Sequence, residues 1–340
     1  MTVYTRNGRW HGRGGYPTLN GVPSVTGAMS QAGLLYDVEK SPSYAKVGGK
    51  TVKVPGSFHL VRPPFGKNKN HQVFSTVGSR YRVIQNGEVA SALDVLTSDY
   101  KVAAVGEFNG GEDVFVELRL PDFTVGGQQN ERHQTNILVV NRFGKGGVLL
   151  GMVSERLVCA NMLPRLSKSM MKISHLNGAK LQLDFRAEIA HYMLKEQQNL
   201  TEELNLLFTK KINKEVVAEV IETAYPVPSL PQKVKMISEV PQYNGRNAVF
   251  DQVVSEGKDA LEIHEGKVER VEKKRRDVSD LFVKYQDEHP YGENAYWLLQ
   301  AITEETTHGD YTGSYDKGMR SLFFGSRGKV QSDALKVLVG

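Results

Sequence analysis

Cysteine is almost missing from this chain. Cys159 is the only one in 340 residues, which excludes an internal disulfide framework and any multi-thiolate zinc site. Nothing approaches the run of about 18 apolar residues that a membrane-spanning helix needs. The first residues, MTVYTRNGRWHGRGG, have no apolar centre, so no secretory signal is expected and the reading is a cytoplasmic protein. The histidines, at 11, 59, 71, 133, 175, 191, 264, 289 and 308, form no HxH or HxxxH pair, and neither metal nor cofactor is expected. Gly144-Lys145-Gly146-Gly147 lacks the spacing and the closing Lys-Ser/Thr of a nucleotide-binding P-loop and reads as a hairpin turn. Alternating βαβ units are also missing, which argues against a doubly wound nucleotide fold.

Charge is present in blocks. Residues 1–82 carry 12 Lys/Arg against 2 Asp/Glu, residues 83–138 carry 3 against 9, residues 139–172 carry 6 against 1, and residues 173–340 carry 22 against 26. Two basic blocks that meet in space would attract a polyanion, and the acidic block between them would keep it off other faces.

The elements follow from periodicity. Residues 1–80, rich in Gly, Pro, Ser and Tyr, form a β-rich basic arm with a hairpin expected around Pro55-Gly56. A core follows over 81–224. It opens with a strand beginning over Tyr81–Ile84, passes to a helix capped by Asn86, and continues as strands folded at Asn109-Gly110-Gly111 and at Gly144–Gly147, an antiparallel meander. A helix is expected over CANMLPRLSKSMMKISHL, with Pro164 in its first turn. Residues 225–244 carry four prolines and read as a linker. Residues 245–340 are helical. The fold class is α+β: a β-rich N-terminal arm, an antiparallel β-meander with helices, and a helical C-terminal region.

Cys159, between Val158 and Ala160, is expected in the core rather than as a nucleophile. Asp113, Glu117 and Arg119 faintly echo magnesium nucleases, but arginine is too basic for the usual lysine's role, and Glu117 reads as the wet face of a strand. The basic run is the stronger signal. Arg165, Lys168 and Lys172 would share one face of the expected helix, with Arg156 at the strand exit and Arg142 and Lys145 on the neighbouring hairpin. These six would hold phosphates, with Arg82 nearby, and Phe143 or Tyr81 would stack a base.

The same residues carry a resemblance. Trp10-His11-Gly12, Tyr81-Arg82-Val83-Ile84-Gln85-Asn86, the Gly110-Gly111 turn and Arg156-x-Val158-Cys159-Ala160-Asn161-x-Leu163 resemble a phage- and plasmid-encoded family known only as a domain of unknown function. His175, Tyr225-Pro226-x-Pro228, Ala295-Tyr296-Trp297 and Leu322-Phe323-Phe324-Gly325 extend the match over nearly the whole chain. It departs at Met162, at Met171 and in the spacing after Gly15. The order of helix, meander and basic helix is also similar to the phage single-strand annealing proteins of the RecT/Redβ and Erf type. That likeness implies a non-enzymatic, ATP-independent single-stranded DNA-binding and annealing protein acting in recombination or replication. It implies a homo-oligomeric ring or filament and a partner nuclease or single-strand-binding protein, while the family resemblance implies a mobile-element protein in a phage-infected or plasmid-bearing bacterial cell. The competing expectations are a phage structural or host-interaction protein, and a magnesium nuclease that Glu117→Gln would silence.

Overall fold

The structure is a computed structural model. It describes the chain except for residues 1, 12, 22–23, 67–68, 129–130, 145, 166–170, 174–184, 233, 236–247, 290–291 and 310–312. Two compact units emerge: Met1–Leu206 with Asp310–Gly328, and Leu207–Gly309 with Lys329–Gly340. Among the described residues no helix is long and apolar enough to cross a membrane.

The first unit is built on the expected antiparallel meander. Its strands are β1 (Thr2–Thr5), β7 (Lys101–Phe108), β8 (Asp113–Arg119), β10 (Arg132–Arg142), β11 (Gly147–Arg156) and β12 (Asn161–Arg165), hydrogen-bonded in that order. The short β9 (Phe123–Thr124) pairs with β10, and β13 (Met171–Ile173) pairs with β11. Asn109, Gly110 and Gly111 all have positive φ, at 50°, 65° and 97°. That run of left-handed residues reverses β7 onto β8, and it is why the turn is glycine-rich. At Gly111 a side chain would also meet the Tyr36 hydroxyl, which donates to the Gly111 carbonyl at 2.9 Å.

Alternation divides the sheet into two faces. Phe115, Leu138, Val140 and Val153 face Trp10 and the C-terminal helix α7 (Tyr315–Phe324), whose Met319, Leu322 and Phe323 close that core. Trp10 stacks on Phe115 with ring centroids 5.2 Å apart. The other face carries Val114, Val116, Leu118, Ile137 and Val139, all buried. There Asn141 donates to the Ile84 carbonyl and to Asn86, at the start of α2 (Asn86–Leu93). Asn86 in turn donates to the Leu34 carbonyl, just after α1 (Val25–Gln31). The N-cap of α2 is Gln85, one residue earlier than expected, in a reciprocal capping box with Glu88.

The β-rich arm is ordered into β2 (Arg9–Trp10) paired with β3 (Arg13–Gly14), and a three-stranded sheet of β4 (Glu39–Val47), β5 (Lys50–Arg62) and β6 (Gln72–Gly78). The hairpin turn falls at Gly48-Gly49 rather than at Pro55-Gly56, which lies inside β5. Two consecutive glycines with positive φ, 55° and 78°, supply the tighter reversal.

The helix expected over 159–176 is overturned. Its described parts are β12 and β13, both paired with β11: Leu163 opposite Ser154, Arg165 opposite Met152, Ile173 opposite Val148. β11 would otherwise leave an open edge, and pairing there outweighs the helical spacing. Pro164 fits because β12 is the last strand on the sheet's path, where a missing N–H is tolerated.

Helix α3 (Phe185–Thr209) runs from the first unit into the second, which is helical as expected: α4 (Lys214–Ala224), α5 (Ala248–Glu288), α6 (Ala295–His308) and most of α8 (Ser326–Val339). Asn294 caps α6 by accepting from the Trp297 N–H. Trp297 is buried and stacks face to face on His289, 3.7 Å between centroids. Glu305 accepts from Tyr225 and Lys274, each at 2.5 Å, so one α6 carboxylate ties together the end of α4 and the middle of α5.

Candidate nucleic-acid interface and a sheet-end pocket

Of the six cations expected to hold phosphates, Arg142 and Arg156 have described side chains, and both are held in ion pairs within the fold. Arg156 is 3% exposed and donates to both oxygens of Glu131, at 2.7 and 2.8 Å, and to Cys159 Sγ at 3.2 Å. Arg142 pairs with Asp113 at 2.9 Å, with its guanidinium over the Phe324 ring. Phe143 is fully buried and stacks on Phe74, so it presents no face to a base. The Tyr81 hydroxyl accepts from the Gly144 N–H at 2.9 Å, and burial pushes its pKa up to about 12. Arg82 makes an exposed pair with Glu88. Arg165 and Lys172 sit in β12 and β13 on the β11 edge. Lys145 and Lys168 lie outside the described residues.

A denser basic surface lies earlier in the chain. Between residues 40 and 87 there is no Asp or Glu, while Lys40, Lys46, Lys50, Lys53, Arg62, Lys67, Lys69, Arg80 and Arg82 all fall there. This stretch builds the three-stranded sheet. Its inner end is buried through Leu60 and Arg62, and Arg62 reaches Glu107 and Gln72. The outer hairpin is open. Lys46, Lys50 and Lys53 are exposed and have no carboxylate partner among the described residues. Register places Tyr44 opposite Lys53 and Lys46 opposite Thr51, so Tyr44, Lys46 and Lys53 share one face. Tyr44 is 58% exposed, and Val47, Val52, Phe65 and Val73 are exposed as well. The basic excess over residues 1–82 pointed to this region. The strand alternation that puts an aromatic between lysines on one face was not read from it.

The sheet's Trp10 face also holds a pocket of about 500 Å³ at one end. Its floor includes His11, Glu117, Gln134, Asn136 and Glu155, its rim Arg6, Arg9, Lys101 and Arg119, and its wall Leu157 to Ala160. His11 is buried and lies between two carboxylates, Nε2 3.0 Å from Glu117 and Nδ1 2.9 Å from Glu155. Burial alone would lower its pKa, but the two carboxylates outweigh burial and raise it to about 10, so the ring is an imidazolium at neutral pH. Glu117 also accepts from Trp10 Nε1 at 3.1 Å and from Asn136 at 2.9 Å.

Glu117 is therefore no wet strand position. It is buried, and two donors share one of its oxygens while a third takes the other, a poor arrangement for a magnesium ligand. No metal-ligating cluster occurs among the described residues. Cys159 departs from the expected core position: it is half-buried on the pocket wall, in the turn joining β11 to β12.

The family model for the "Domain of unknown function (DUF932)" matches residues 73–323. The chain belongs to this family. The match spans the meander from β7 onward, the Cys159 turn and the helices up to α7, and begins inside the three-stranded sheet, so the β4–β5 hairpin lies ahead of it. No curated protein and no solved structure matches the chain.

Proposed function

We propose that this DUF932 protein binds single-stranded DNA without ATP and promotes annealing, as a homo-oligomer serving recombination or replication of a phage or mobile element. The observation that carries this reading is the open hairpin of β4 and β5, where Tyr44 is flanked by lysines in a stretch of chain without a carboxylate. Lysines without acidic partners neutralise phosphates and release counterions. An exposed aromatic between them offers a stacking surface for unpaired bases, which a duplex keeps stacked inside itself. A strand held by its backbone leaves base edges open to a complement, and annealing needs that geometry. Of the residues anticipated in sequence, Arg142 and Arg156 are paired with Asp113 and Glu131 in the meander, and Phe143 stacks on Phe74 of the hairpin's sheet.

The test is binding of fluorescent single- and double-stranded oligonucleotides across a salt series. Lys46→Ala/Lys50→Ala/Lys53→Ala should flatten the slope of log K against log salt by roughly 2 on single strands. Tyr44→Ala should weaken single-strand binding by about 1–3 kcal/mol and leave duplex binding nearly unchanged. Unchanged affinity and slope in the triple variant would remove the hairpin from any DNA site. Equal losses on both kinds of DNA in Tyr44→Ala would favour a ribbon lying in a duplex groove.

A further inference from the structure

The hairpin reading leaves the sheet-end pocket without a role, yet the pocket brings three chemistries together. Arg9 and Lys101 are exposed at its rim with no carboxylate partner among the described residues. Arg6 is oriented by a 3.0 Å bond from Nε to the Val102 carbonyl. The floor offers acceptors. Glu155 is held by His11 through one oxygen, and its side chain is 13% exposed, against 1% for both His11 and Glu117. Gln134, which donates to Asn136 at 3.3 Å, lies beside it on the next strand, with Gln134 and Glu155 directly paired in register. The wall is apolar, with Leu157 and Val158 both exposed. A volume of about 500 Å³ falls in the range of small-molecule sites.

Cations at a rim suit a phosphate, a carboxylate and an amide on a floor suit N–H donors, and an apolar wall suits a flat ring. We propose that this pocket binds one nucleotide whose base carries an exocyclic amino group, with the amino group on Glu155 and the phosphate on Arg9 and Lys101. The nucleotide would be an unstacked unit of a bound strand, which rests on the reading above, or a free one carrying the same chemistry. Everting one base from a single strand is cheap because no pairing is broken.

Cys159 supplies the readout, since it is the chain's only thiol and lies on the pocket wall. Its alkylation by iodoacetamide is followed on the full-length protein with dCMP, dAMP, dTMP or inorganic phosphate, and calorimetry gives the affinities. The expected result is protection by dCMP and dAMP, with dTMP about tenfold weaker and phosphate without effect at equal concentration. Arg9→Ala/Lys101→Ala, which touches only exposed side chains, should weaken dCMP by about tenfold or more. Glu155→Gln should abolish the preference of dCMP over dTMP. Protection by phosphate alone, equal protection by dTMP, or no protection by any nucleotide would each overturn the proposal. Oligo-dC and oligo-dT then separate the sources: stronger protection by oligo-dC than by dCMP marks a strand-borne base, and protection by dCMP alone marks a free nucleotide. The triple lysine variant keeps the two readings apart. Lost strand binding with dCMP protection intact would leave the pocket standing, and intact strand binding without any nucleotide protection would leave only the hairpin.

Discussion

At the scale of single residues, His11 shows how a buried charge fixes a backbone. It has a φ of 46°, unusual outside glycine, and is buried between Glu117 and Glu155. The imidazolium fastens the β2–β3 segment to strands 106 and 144 residues away in sequence. Its pKa is raised from 6.5 to about 10. In that window the folded state keeps a proton the unfolded chain has lost, so unfolding releases one. The contribution is therefore complete below pH 6.5 and disappears as pH rises through about 10, with a slope near 1.4 kcal/mol per pH unit between them. Urea unfolding of the wild type and His11→Gln at several pH values checks this: the gap between them should be widest near pH 6 and close as pH approaches 10. A gap that does not change with pH would show that His11 is neutral in the fold. The sequence singled out Trp10-His11-Gly12 as a motif but offered no role for it. Partners more than a hundred residues away leave no local pattern, and for the same reason Glu117 read as a wet strand position and Cys159 as a core residue.

At the scale of elements, the central strands of the meander are legible in the sequence and the strands that close its β11 edge are not. β7, β8, β10 and β11 announced themselves through apolar alternation and glycine turns, which are local signals. The segment from 161 to 173 carries cations at helical spacing and one proline, and the open edge of β11 explains why its described parts, 161–165 and 171–173, are strand. The same long-range logic docks α7. Asp113, wholly buried on β8, accepts from Arg142 at 2.9 Å and from Arg320 of α7 at 2.9 Å. Asp113 echoes a nuclease carboxylate in sequence and Arg142 a phosphate ligand, and their mutual pairing accounts for both. Removing the shared anion leaves two guanidinium groups facing each other, each more than half-buried. Asp113→Ala should therefore destabilise the first unit by about 3–5 kcal/mol. Arg320→Ala should cost less, because Arg142 still pairs with Asp113. The ordering of the urea midpoints, wild type above Arg320→Ala above Asp113→Ala, is the check.

At the scale of the whole molecule, the chain enters the second unit at Leu207, returns to the first at Asp310 and ends in the second. Each unit has its own aromatic centre, and the chain's two tryptophans are divided between them: Trp10 in the first, against Phe115, and Trp297 in the second, against His289. Both indoles are buried, so unfolding of either unit should move its emission to the red. Trp297→Phe leaves a reporter of the first unit, and Trp10→Phe leaves one of the second. Introducing Asp113→Ala into each background asks whether the cores unfold separately. Asp113 and both its arginines belong to the first unit. Two self-contained cores predict that the Trp10 midpoint falls by the full cost of the lost pairs while the Trp297 midpoint stays within error. Equal shifts from both reporters would mean that α3 and α8, which run from one unit into the other, join the cores into one cooperative transition.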